Sequence, residues 1–182
     1  MKREIIAIFA LLMLAGCNVE QKVSQFEGDG TIQFVKRPAT LASDGVVLRF
    51  DTFGVSSNFS RTYSFRKLPR IDNRYMLYMT VTAPKPLDEL KGCLISTQLT
   101  DSKGTVLWTV KKPIGTSWLY AERGRGQSVE YYCMSAPEYV PECAFIPDES
   151  EEYTLAVSFT TDPACSNLTM EASFSLQAGG FK

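Results

Sequence analysis

After a polar stretch that ends at about Gly30, apolar and polar side chains alternate with a period of two. Phe59, Tyr63 and Phe65 alternate with Ser60, Thr62 and Ser64, while Tyr75, Leu77, Met79 and Val81 share a second parity. Tyr153, Leu155, Val157 and Phe159 share a third, and Met170, Ala172, Phe174 and Leu176 oppose Glu171, Ser173, Ser175 and Gln177. Successive side chains of an extended chain point to opposite faces, so each stretch predicts a half-buried strand. Between CLISTQLT and TVLWTVKK lies DSKG, a polar connection with glycine last, which predicts a hairpin. The one helical signal is PLDELKG, with Pro86 at a first helical position and Gly92 past the end. About eight to ten strands with almost no helix predict an all-β fold, an antiparallel β-sandwich of jelly-roll type, with a closed barrel as the alternative.

The N-terminus departs from this pattern. Lys2 and Arg3 precede an unbroken apolar run from Ile5 to Ala15 that ends in small residues, the organisation of a signal peptide. As a helix, the run reaches about 18 Å against the roughly 30 Å of a bilayer core, too short to span. A buried core helix fits less well, because the run has no polar face and carries basic flanks. Leu14, Ala15, Gly16 and Cys17 resemble the lipobox of bacterial lipoproteins. The resemblance implies that residues 1–16 are removed and that Cys17, acylated on its sulfur and its new amino group, ties the chain to a lipid bilayer. Several buried acyl chains anchor stably where one does so only marginally. Asn18 stands where that family's inner-membrane retention signal has aspartate, which implies the outer membrane. The expected organisation is signal peptide 1–16, lipidated tether 17–30 and β-sandwich 31–182.

Without the signal peptide 166 of the 182 residues remain, enough for one domain with its own core. They carry 17 basic and 19 acidic side chains, a balance that offers nothing to nucleic acid. With Cys17 committed to lipid, Cys93, Cys133, Cys143 and Cys165 form an even set in an exported chain, which predicts two disulfides. Three pairings exist. Cys133 with Cys143 and Cys93 with Cys165 is preferred, because the first pair is close in sequence and clips a proline-containing loop. Cys93 shares its parity with Ile95 and Leu99, and Cys133 with Val129 and Tyr131, so both are expected to face the core. A zinc site is the alternative, but the chain has no histidine and no C-x-x-C spacing.

Absence of histidine also removes Ser-His-Asp and Cys-His catalysis. The surviving enzymatic option is a carboxylate pair as in glycan hydrolases, with Asp148, Glu149, Glu151 and Glu152 as candidates against a solvated acidic loop. The stretch WLYAERGRGQSVEYY gathers Trp118, Tyr120, Arg123, Arg125, Tyr131 and Tyr132. Arginine and tyrosine are a recognition vocabulary, so Arg123, Arg125 and Tyr132 form the candidate recognition surface, while Trp118, Tyr120 and Tyr131 have the parity of core residues. RKLPRIDNR places Arg66, Lys67, Arg70 and Arg74 together, as a solvated loop or a contact for anionic headgroups. LTDSKGTVLWTV and SLQAGG are faintly similar to galactose-binding-like jelly rolls and other carbohydrate-binding sandwiches. That likeness bears on the fold and carries no binding residue across.

The functional expectation is a membrane-anchored, non-catalytic module without cofactor, whose loops bind a protein or glycan of the bacterial envelope. A periplasmic inhibitor or immunity protein and a carboxylate-based glycan hydrolase are the alternatives.

Overall fold

The computed structural model describes residues 22–36, 44–71, 74–83, 87–115, 118–123, 128–135 and 140–179. Among them are thirteen strands: β1 (Glu27–Gly28), β2 (Thr31–Val35), β3 (Gly45–Gly54), β4 (Phe59–Arg66), β5 (Tyr75–Val81), β6 (Leu94–Asp101), β7 (Val106–Pro113), β8 (Trp118–Arg123), β9 (Ser128–Ser135), β10 (Val140–Pro141), β11 (Ala144–Phe145), β12 (Glu152–Thr160) and β13 (Glu171–Ala178). β1, β10 and β11 are two-residue pieces. The remaining ten agree with the number that the alternation predicts.

Two antiparallel sheets pack face to face. The smaller runs β1-β4-β12-β6-β7; the larger runs β10-β9-β5-β13-β3-β2, with β8 on β9 and β11 on β5. Among the described residues the two sheets share no strand and do not close into a barrel. The order β3-β13-β5-β9 facing β4-β12-β6-β7 is that of a double Greek key, the jelly-roll arrangement. In β12 burial alternates residue by residue, with Tyr153, Leu155, Val157 and Phe159 inward. β4 does the same at Tyr63 and Phe65, and β5 puts Tyr75, Leu77, Met79 and Val81 into the core. Aromatic rings fill the middle: Phe53 stacks on Phe59 with centroids 4.3 Å apart and on Phe174 at 5.5 Å, and Phe50 stacks on Tyr63 at 4.4 Å. Offset and edge-on ring pairs of this kind add to the burial of their large apolar area.

The DSKG hairpin joins β6 to β7. Asp101 Oδ1 accepts from the amides of Lys103 and Thr105, and Gly104 takes the positive φ of 80° that favours glycine. Within PLDELKG a short 3-10 helix, η1 (Asp88–Gly92), forms with Leu87 before it and Gly92 inside rather than past its end, while Pro86 lies outside the described residues; a second, η2 (Pro163–Cys165), is capped by the Asp162 side chain.

The chain crosses between sheets four times at one end of the sandwich, between β3 and β4, β5 and β6, β7 and β8, and β12 and β13. These crossovers hold one another. Asn58 Oδ1 accepts from the Thr161 amide at 3.0 Å, the Val55 carbonyl accepts from the Thr161 hydroxyl at 2.9 Å, and the Cys93 carbonyl accepts from the Ile114 amide at 2.9 Å. The opposite end, about 25 Å away along an eight-residue strand, carries the loops before β5, between β6 and β7, and before β12. Residues 22–30, in the stretch expected as tether, lie against the domain: Val23 and Phe26 pack on the core, and β1 pairs with β4.

Phe174 is fully buried and meets Phe53, Phe59 and Trp118. Phe174→Ala is expected to destabilise the domain by about 3–5 kcal/mol, read from urea unfolding. Ala156→Ser, at an exposed position of β12, is expected to stay within about 0.5 kcal/mol of the parent; equal effects of the two would contradict the inward and outward assignment.

Candidate functional site

On the small sheet the outward residues are mostly exposed, as a solvated face requires. The large sheet differs. Its outward positions Ser175 and Gln177 of β13, Glu130 of β9, and Tyr78 and Tyr132 are all buried, at 3%, 8%, 7%, 1% and 9% exposure. Register fixes their common face: Tyr132 lies opposite Tyr78, Tyr78 opposite Ser175, and Ser175 opposite Arg49 of β3. Glu130 lies opposite Thr80, which lies opposite Ser173. Directly opposed residues of antiparallel strands share a face.

Across this face the Gln177 amide donates to Glu130 Oε1 at 3.3 Å and to the Ser175 hydroxyl at 3.0 Å. The three side chains come from β9 and β13, on either side of β5. They floor a groove of about 340 Å³, lined by Arg49, Thr80, Ser128, Glu130, Ser173, Ser175 and Gln177. It holds one carboxylate, one guanidinium, one amide and four hydroxyls, a mixed set of donors and acceptors drawn from four neighbouring strands. Tyr132 meets Tyr78 edge-on, centroids 4.9 Å apart, beside it.

The expected recognition residues fall partly here. Tyr132 is on the grooved face, but more than nine-tenths buried against its neighbours. Arg123 is at the end of β8, in register with Ser128 of the groove lining. Arg125 and Cys17 lie outside the described residues. Trp118 and Tyr131, with core parity, are fully buried or nearly so. Glu130 and the β13 residues of the groove were not singled out by sequence reasoning as a site. The available signal was the polar face Ser173, Ser175, Gln177, but a polar strand face ordinarily means solvent.

A second cleft, of about 550 Å³, lies at the end opposite the crossovers, lined by Lys22, Arg70, Ile71, Ile146, Asp148 and Glu149. Here the acidic run and the basic loop meet. Glu149 pairs with Lys22 at 2.7 Å and accepts from the Arg70 amide at 3.0 Å. Glu151 takes Ser102 and Lys103, and Glu27 takes Arg66 and Lys67. The hydrogen bond from Lys22 holds the Glu149 carboxyl below its ordinary pKa, that from Ser102 lowers Glu151, and those from Ser150 lower Asp148. A hydrolytic carboxylate pair needs environments that push the two pKa values apart, one of them upward. These three all move down. Among the described residues, no group of three or more acidic or cysteine side chains is arranged to hold a metal ion. The charges of Arg66 and Lys67, offered above as a headgroup contact, are offset by Glu27.

Cys133 and Cys143 form a disulfide, Cα atoms 5.6 Å apart. It clips β9 to the segment carrying β11, whose Cys143 carbonyl accepts from the Leu77 amide of β5 at 3.0 Å. Cys93 and Cys165 face the core and meet, but as free thiols, with sulfurs 2.7 Å apart. This contact is the one that the expected second pairing, Cys93 with Cys165, requires.

Residues 1–18 match the family of prokaryotic membrane lipoprotein lipid attachment sites. No curated protein matches the chain. The match supports a bacterial lipoprotein with a lipobox, anchored to a membrane by lipid. Among the described residues no helix is long and apolar enough to cross a membrane.

Because Glu149 and Glu151 have lowered pKa values in the folded chain, their contribution is fully present above the ordinary carboxylate value of about 4.3 and is lost as pH falls through the folded values below it. Between pH 6 and pH 3 the protection factor of the Arg70 amide is expected to fall, measured by hydrogen exchange. Glu149→Gln is expected to lower it already at pH 6. A factor unchanged in both experiments would show that the charged acceptor does not hold this loop.

Proposed function

We propose that the protein is a non-catalytic binding module of the bacterial envelope, held by acylated Cys17 at the outer membrane, with the grooved face of the large sheet as the surface that takes a glycan. The supporting observation is the hydrogen-bonded row of Glu130, Gln177 and Ser175, buried on a sheet face that ordinarily would be solvated. Buried polar groups cost free energy unless paired, so such a row is a departure from the simplest stable sandwich. Its alternating donors and acceptors match the hydroxyl pairs of a sugar better than the mainly apolar centre of a protein interface.

Attachment geometry agrees with this reading. Lys22 is tied to Glu149 and lies five positions after Cys17, a span of at most about 18 Å. The ion-paired end thus stays near the bilayer, while the groove lies on the side wall of the sandwich. Asn18 in place of aspartate supports the outer membrane.

Cys17→Ser is expected to move the protein from the membrane to the soluble fraction with its unfolding midpoint unchanged, and Asn18→Asp to shift it to the inner membrane, both read by fractionation. Persistent membrane attachment of the serine variant would refute the anchor. For the groove, the full chain in detergent micelles is titrated with solubilised peptidoglycan fragments and with N-acetylglucosamine oligomers. Saturable binding is expected, weakened roughly tenfold by Arg49→Ala, whose side chain is exposed and whose unfolding midpoint is expected to match the parent's. No binding to either probe, or binding indifferent to Arg49, would overturn the glycan reading.

A further inference from the structure

Two of the four crossovers meet at a pair of sulfur atoms. Cys93 follows η1 in the crossover from β5 to β6, and Cys165 ends η2 in the crossover from β12 to β13. Both are fully buried, their sulfurs are 2.7 Å apart, the Cys93 sulfur accepts from the Asp162 amide at 3.4 Å, and the Cys165 thiol donates to the Glu89 carbonyl at 3.3 Å. The two short helices are closely fitted. A Cβ at Gly92 would come within 2.4 Å of the Asp162 carboxylate, so the backbone approach here depends on glycine.

We propose that Cys93 and Cys165 are a disulfide site that is oxidised during export, before the sandwich closes, and that closure then removes the bond from further exchange. The proposal stands apart from the glycan reading and shares with it only an exported chain. Formation needs a disulfide donor of the thiol oxidoreductase class, as found in oxidising compartments. One cysteine attacks the donor disulfide as thiolate and forms a mixed disulfide. The other cysteine then displaces the donor's sulfur. The new bond joins Cys93 to Cys165, the donor's disulfide is reduced to two thiols, and the two protons lost by the cysteines end on the donor.

In the folded chain neither step is open. Attack requires a thiolate and access to the donor. Both sulfurs are shielded, and burial, followed by the neighbouring Cys165 thiol, pushes the Cys93 thiol up to about 12. The same shielding protects a bond already made. Oxidation therefore belongs to the unfolded or partly folded chain, and the reduced folded form is a trapped state of the pair rather than a substrate for late repair.

The experiment uses the full wild-type chain recovered in detergent from envelopes under alkylating conditions. Non-reducing peptide mapping is expected to recover Cys93 and Cys165 cross-linked; alkylated free thiols at these positions would overturn the assignment. The same protein is then treated with a small dithiol, with and without denaturant. The Cys93 to Cys165 link is expected to be reduced roughly a hundredfold more slowly in the native protein. Equal rates would overturn the protection by closure. A Cys93→Ser, Cys165→Ser double variant, where it folds, is expected to melt about 10 °C lower, and an unchanged melting temperature would count against a stabilising bond.

Discussion

Two apolar sheet faces must be kept from water, and neither sheet can do so alone. The inward rows of β4, β12, β6 and β7 cover those of β3, β13, β5 and β9, with Phe50, Phe53, Phe59, Phe65, Phe159 and Phe174 filling the gap. A chain that builds both layers in this interleaved order has to pass repeatedly from one to the other. The crossovers, the contact of two of them through the shielded sulfurs and the positions of the loops at the other end all follow from that requirement.

The two ends solve different problems. At the crossover end short segments bond to each other through backbone and small polar side chains, as at Asn58, Thr161 and Asp162. At the other end long charged side chains do the joining, Lys22 to Glu149, Lys103 to Glu151, and Arg66 and Lys67 to Glu27. Exposed pairs of this kind contribute little each and weaken with salt. Their placement matters more than their strength: the Lys22 pair fastens the start of the described chain to this end of the sandwich.

The inward rows were legible because a strand's period is two: Tyr153 to Phe159 and Tyr75 to Val81 declare their buried side without any knowledge of partners. β3 was not, since Val46, Val47 and Leu48 are apolar in succession and all buried, so alternation fails there. The groove was hidden for a related reason. Ser175 and Gln177 read as solvated until topology places Glu130 of β9 across β5 from them. The contact of Arg70 with Glu149 bridges 79 residues, a separation that local pattern cannot see. Cysteine parity placed Cys93 and Cys133 in the core, while Cys165, in the short helix η2 rather than in a strand, has no such period to read.

Four crossings at one end also govern how the domain comes apart. Neither sheet is built from a continuous stretch of chain, so no half of the sequence owns a layer of its own. Peeling β3 and β13 away would drag β4 and β12 with them through the Thr161 and Val55 contacts. The structure therefore has no natural sub-domain to lose first, and its central strands should exchange their amides together, in a single global opening.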